Sequence, residues 1–146
     1  MNEHHRLEIQ RRLKARPEAV YDAWTRPDIL ARWWGPEGAR IGDHSFDVTE
    51  GGSWRTVMVT SEGNEHTAVG TYRELTRPDR IVTTWAWEDG GIPGEESLVT
   101  VTFEAVGSET LMTLVHENFA SKDSVEPHRM GWTSALSCLE ALWAEA

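Results

Sequence analysis

The chain has 146 residues, 14 Lys and Arg against 24 Asp and Glu, and a formal net charge of −10. One domain of this size buries a sizeable core, and an acidic surface without a Lys/Arg stripe disfavours nucleic acid as a partner. Its 39% apolar content exceeds what a disordered coil carries, and no apolar run approaches the ~18 residues of a membrane span.

In chain order, Met1-Asn2-Glu3-His4-His5-Arg6 lacks the apolar h-region of a secretory signal. The single cysteine, Cys138, has no internal partner, which fits a reducing, cytoplasmic setting. Arg6–Leu13 alternates as a strand, with Leu7 and Ile9 on one side. Pro17 and Glu18 then read as the first turn of a helix carrying Val20, Ala23 and Trp24. Pro27 interrupts it, and Asp28 opens a second short helix through Trp33 and Trp34, stopped by Gly35-Pro36.

From His44 to Glu117 the period becomes two. Strands are predicted near 44–49, 53–60, 66–76, 80–88, 97–105 and 110–117, separated by turn-rich segments such as Glu50-Gly51-Gly52 and Arg77-Pro78-Asp79. Connections this short make hairpins, not parallel crossovers. The segment from Ser124 to Ala144 returns to helical spacing, with Val125, His128, Trp132, Leu136, Leu139 and Trp143 in one stripe. Gly131 costs such a helix roughly 1 kcal/mol relative to Ala, so a close approach of backbone to sheet or ligand is expected there.

The order strand, two helices, six strands, long helix makes one α+β domain over residues 1–146. One face of a single antiparallel layer must be covered, and only the last helix is long enough to cover it. Seven strands around one helix need strong curvature, which leaves a groove between them. The inward faces are predicted as Trp54, Thr56 and Met58; Ala68, Gly70, Tyr72 and Glu74; Ile81, Thr83, Trp85 and Trp87; Val99, Val101 and Phe103; and Met112, Leu114 and His116.

Pro17-Glu18-Ala19-Val20-Tyr21-Asp22-Ala23-Trp24, closing with Trp33-Trp34-Gly35-Pro36, resembles the opening of the activator-of-heat-shock-protein-ATPase homologue family. The resemblance continues through Gly51-Gly52-Ser53-Trp54, Gly70-Thr71-Tyr72-Arg73-Glu74-Leu75 and Arg80-Ile81-Val82-Thr83-Thr84-Trp85. It ends with Thr113-Leu114-Val115-His116-Glu117-Asn118-Phe119 and Gly131-Trp132. It implies the START-like, helix-grip fold of the SRPBCC superfamily: a curved seven-stranded antiparallel sheet wrapped around a long C-terminal helix, enclosing a hydrophobic ligand cavity. That superfamily holds lipid carriers, polyketide cyclases, hydrolases and co-chaperones, so function is argued from the site.

Eight Trp stand beside three Phe and two Tyr. Trp24, Trp143 and one of Trp33 and Trp34 read as fasteners of helix to sheet, because adjacent helical residues lie ~100° apart and do not both face the core. The expected ligand-binding set is Trp33, Trp54, Met58, Tyr72, Trp85, Trp87, Val101, Leu114, His116, His128, Trp132 and Leu136, taking a hydrophobic or aromatic small molecule without a cofactor. His116, His128 and Glu74 either orient that ligand or, in an enzyme, act as acid and base. The plainer alternatives are histidines satisfied by backbone or Glu117, and a Glu74 solvated beside Arg73 or Arg77. Scattered His, one Cys and the lack of CxxC or HExxH spacing give no metal site. A homodimer is compatible with the chain. A chaperone-associated or stress-response role is implied only by the family's name, and ranks last because the chain shows no extra N-terminal domain of the eukaryotic co-chaperone kind.

Overall fold

The computed structural model describes residues 5–34, 40–88, 96–119, 123 and 125–143. Strand β1 (His5–Leu13) leads into helices α1 (Pro17–Thr25) and α2 (Pro27–Trp33). Strands β2 (Arg40–Phe46), β3 (Ser53–Val59), β4 (Glu65–Thr76), β5 (Arg80–Trp87), β6 (Ser97–Val106) and β7 (Glu109–Phe119) follow, and helix α3 (Val125–Ala141) ends the fold. The strands form one sheet in the order β1-β7-β6-β5-β4-β3-β2, and each neighbouring pair is antiparallel. Thus β1 closes onto the last strand, and β2 forms the far edge.

Both short helices begin on a proline, whose restricted φ suits the first helical position and whose missing N–H costs nothing there. Arg26 ends α1 by donating its backbone N–H to Asp22 O at 2.8 Å, and it is also the extended residue that starts α2. One residue in two caps bends the pair sharply, bringing Trp24 against Trp33 at 4.8 Å between ring centroids.

The α3 stripe buries Trp132, Ala135, Leu136 and Leu139. Leu136 and Leu139 are fully buried, as are Leu114, Val101 and Met112 on the sheet face opposite. Fully burying such side chains is worth ~1.5–3 kcal/mol each.

Three expectations need correction. The first hairpin strand covers Arg40–Phe46 rather than residues 44–49. Asp47 accepts from the Thr49 hydroxyl at 3.1 Å, and Gly52 donates to Thr49 O at 2.8 Å, so a polar turn takes the chain out of the ladder. Glu74 leaves the inward face because the β4–β5 register shifts between Tyr72 and Glu74. Gly131 makes no close approach, since a Cβ built there meets nothing within 4 Å. The close approach belongs to Gly70, where a Cβ would collide with Thr84 O and the Trp54 indole.

Candidate functional site

Four adjacent strands floor the groove. Trp54 on β3, Tyr72 on β4, Ile81, Thr83 and Trp85 on β5, and Val99 and Val101 on β6 face one cavity. The helices roof it with Trp24, Leu30 and Trp132, while Trp34 and Phe46 complete the lining. The lining holds no charged side chain. Its volume is about 20 Å³, room for one water molecule and far below the ~300 Å³ of a usual ligand pocket.

Aromatic rings take up the remaining space. Trp34, half-buried at the end of α2, has its ring centroid 5.4 Å from Trp33, 5.8 Å from Trp132, and 5.9 Å from both Trp54 and Trp85. Trp24 at 6.2 Å and Phe46 at 6.4 Å complete its surroundings. Most of these pairs are edge-to-face, the arrangement the ring quadrupole favours by ~0.5–1.5 kcal/mol beyond area burial.

The indole N–H groups show how well this cluster is satisfied. Trp33 donates to Ala23 O at 2.9 Å, Trp34 to Thr56 Oγ1 at 3.1 Å and Trp54 to Thr83 Oγ1 at 2.7 Å. Trp87 donates to His128 Nε2 at 2.9 Å and Trp132 to His116 Nδ1 at 3.0 Å. The buried N–H groups of Trp24 and Trp85 find no partner among the described residues, and both residues line the cavity.

The Trp132 bond also assigns the tautomer of His116. An indole N–H only donates, so Nδ1 carries no proton and the ring hydrogen sits on Nε2. Nε2 lies 2.7 Å from Ser97 Oγ and therefore donates to it, and the Ser97 hydroxyl passes its own hydrogen to Trp85 O at 3.1 Å. Burial first, and the neighbouring His128 second, hold the pKa of His116 well below the ordinary 6.5. Ser97 and His116 are spaced like a nucleophile and its base, but the proton is on the wrong nitrogen. A base must receive the serine proton at Nε2 and be oriented by an acceptor at Nδ1; here a donor occupies Nδ1. Burial likewise raises the Tyr72 pKa, so its phenol is neutral.

Of the expected binding set, Trp54, Tyr72, Trp85, Val101 and Trp132 line the cavity together. His116 and His128 form a second cluster beside it, with ring centroids 5.1 Å apart and Phe119 against both. Their acceptors serve Trp132 and Trp87 rather than Glu117. Trp87 is half-buried in that second cluster, and Met58, Leu114 and Leu136 are core residues outside the cavity lining. Trp33 is fully buried outside the lining, and its neighbour Trp34 takes the cavity position. Glu74 lies three strands from β7, bonded to Thr76 Oγ1 at 2.8 Å and paired with Arg80 at 3.3 Å. It does not join the histidines.

The reading of residues alone missed Trp24, Leu30, Trp34, Phe46, Ile81, Thr83 and Val99 as lining. Ile81, Thr83 and Val99 were already on the predicted inward faces, so alternation carried that signal. Trp24 and Trp34 depend on the bend between α1 and α2, which spacing does not reveal. Among the described residues, no group of three His, Cys, Asp or Glu is placed to hold a metal ion, and no helix is long and apolar enough to cross a membrane.

A seven-stranded antiparallel sheet, two short helices after the first strand and a long C-terminal helix over an aromatic groove define the helix-grip class. The pattern shared by Activator of Hsp90 ATPase homolog 1-like proteins matches residues 14–144, and the chain belongs to that family. The AHSA1 protein of Silicibacter pomeroyi is similar at 30% identity, with 95% of this chain and 97% of that one covered and a TM-score of 0.85. A Chromobacterium violaceum protein is 28% identical over 94% of this chain and 96% of its own, with a TM-score of 0.79. A Rhizobium leguminosarum protein is 25% identical over 99% and 97%, with a TM-score of 0.82. Among curated proteins, none matches.

Proposed function

We propose that the protein binds an uncharged, largely planar apolar small molecule between sheet and α3, without turning it over. The observation that supports this reading is the pair of orphaned indole donors. Trp24 and Trp85 each keep an N–H buried and unpaired beside a cavity whose remaining lining is apolar apart from Tyr72 and Thr83. Such a donor costs roughly 1–3 kcal/mol while unpaired, and a ligand carrying an acceptor recovers part of that cost. An ionic ligand is disfavoured because the lining offers no countercharge. Turnover is disfavoured by the inverted Ser97–His116 proton arrangement and by the distance of Glu74 from the histidines.

Three bicyclic probes of nearly equal shape test the proposal: quinoline, with a ring acceptor; naphthalene, without one; and anionic naphthoate. Ligand-observed NMR titration is expected to show saturable binding of quinoline, with naphthalene roughly tenfold weaker, about the worth of one hydrogen bond. Naphthoate should not bind. If neither neutral probe binds saturably, or naphthoate binds as well as quinoline, the proposal is wrong.

A further inference from the structure

Resting on that binding reading, we infer that Trp34 is the resident occupant of the ligand site: its indole stands where the ligand's ring system goes, and a ligand binds by displacing it. The cavity is too small for any organic ligand while all its rings are in place. One ring must therefore leave, and the surroundings of each candidate identify which.

Trp24, Trp54, Trp85 and Trp132 are each at least nine-tenths buried, and all four sit within α1, α3 or the central strands. Trp34 is half-buried and follows the last residue of α2, with extended backbone at φ −71° and ψ 130°. Its side chain is thus mounted on the end of an element and is partly exposed to solvent. A single hydrogen bond, to Thr56 Oγ1, holds its polar atom. Phe46, the other half-buried ring, lies on the edge strand and touches the cluster through Trp34 and not through the orphaned donors.

Trp34 also neighbours both orphaned donors. Its ring centroid is 6.2 Å from Trp24 and 5.9 Å from Trp85, the two indoles whose buried N–H groups lack partners; Trp132 also neighbours both, at 5.9 and 5.2 Å, but it is buried in the middle of α3. An indole ring has no acceptor lone pair to offer either donor. A flat ring with a nitrogen or carbonyl acceptor, placed in the same slot, supplies what the resident ring does not. Vacating an indole opens space on the scale of the ~150 Å³ apolar cavity that suffices for benzene. The ligand class that follows is a planar, neutral aromatic of at least indole size with a hydrogen-bond acceptor on its edge.

Fluorine NMR on fluorotryptophan-labelled protein reads the displacement directly, with the Trp34 signal assigned from its loss in Trp34→Phe. Saturating quinoline is expected to move the Trp34 signal to the position of a solvent-exposed indole. Trp34→Ala is expected to bind quinoline more tightly by roughly tenfold or more, because the ligand no longer has to expel a half-buried indole and break its hydrogen bond to Thr56. Thr56→Val, which removes the hydrogen bond holding the indole, provides a second variant should Trp34→Ala fail to fold. It should also tighten binding. If wild-type protein binds quinoline while the Trp34 signal stays in place, or if the folded variants bind no more tightly, the inference is overturned and the binding function stands. If neither wild type nor the variants bind either neutral probe, both fail together.

Discussion

The indole–imidazole bond between Trp132 and His116 makes the stability of this protein sensitive to mild acid. Protonating His116 places a hydrogen on Nδ1, which then faces the Trp132 N–H as donor against donor, and creates a charge in a fully buried site 5.1 Å from a second imidazole. The folded-state pKa is therefore depressed, and the unfolded chain binds more protons than the native protein below the unfolded value of 6.5. The contribution of the neutral ring is fully present above that value and is lost as the pH falls. The slope is ~1.4 kcal/mol per pH unit for one such group, so a drop from about pH 7.5 to about pH 5 removes ~2 kcal/mol. In a chain of this length that corresponds to roughly 4–8 °C in melting temperature. The comparison protein is His116→Asn, which keeps an acceptor oxygen near the Nδ1 position but does not titrate. Urea unfolding of both across this range should show wild type losing ~2 kcal/mol more than the variant, whatever their absolute difference. Parallel loss of stability in the two proteins would refute the tautomer and the role of His116 built on it.

Two glycines predict opposite signs for the same substitution. Gly131→Ala places a methyl in open space within α3 and should stabilise by roughly 0.5–1 kcal/mol, measured as a higher denaturation midpoint with unchanged slope. Gly70→Ala drives its Cβ into Thr84 O and the Trp54 ring, and should cost roughly 1–3 kcal/mol with a changed near-UV circular dichroism signal from the displaced indole.

Much of this architecture follows from period alone. Trp54, Thr56 and Met58, and likewise Val99, Val101 and Phe103, are buried as their alternation requires, because a pleated strand with one covered face leaves no other choice. Where a local polar interaction competes with the ladder, period misleads. The Asp47–Thr49 turn ends β2 early, and the register shift beyond Tyr72 turns Glu74 outward. The site itself was less legible. Which of Trp33 and Trp34 is buried depends on where α2 stops, a difference of one residue that rotates the indole by about 100°. The partners of the indole N–H groups are long-range, as with Trp34 to Thr56 and Trp87 to His128. No window of sequence places them together.

The filled groove also constrains what binding can be worth. A ligand that takes the place of Trp34 buries aromatic surface only by releasing aromatic surface of the same kind, so for a ring of indole size the apolar contributions nearly cancel. It also forfeits the Trp34–Thr56 hydrogen bond. What remains is the acceptor offered to Trp24 and Trp85, at ~0.5–1.5 kcal/mol for each bond formed, and any area beyond that of indole, at ~25 cal/mol per Å². Selectivity thus comes from the edge of the ligand rather than from its greasiness: a purely apolar ring gains little from displacing an indole. An acceptor-bearing ring gains the difference between a satisfied and an unsatisfied donor. On this reasoning the abundance of Trp serves two ends, since Trp33, Trp54, Trp87 and Trp132 build a frame whose N–H groups find protein acceptors, while Trp24 and Trp85 are left with a hydrogen bond to give.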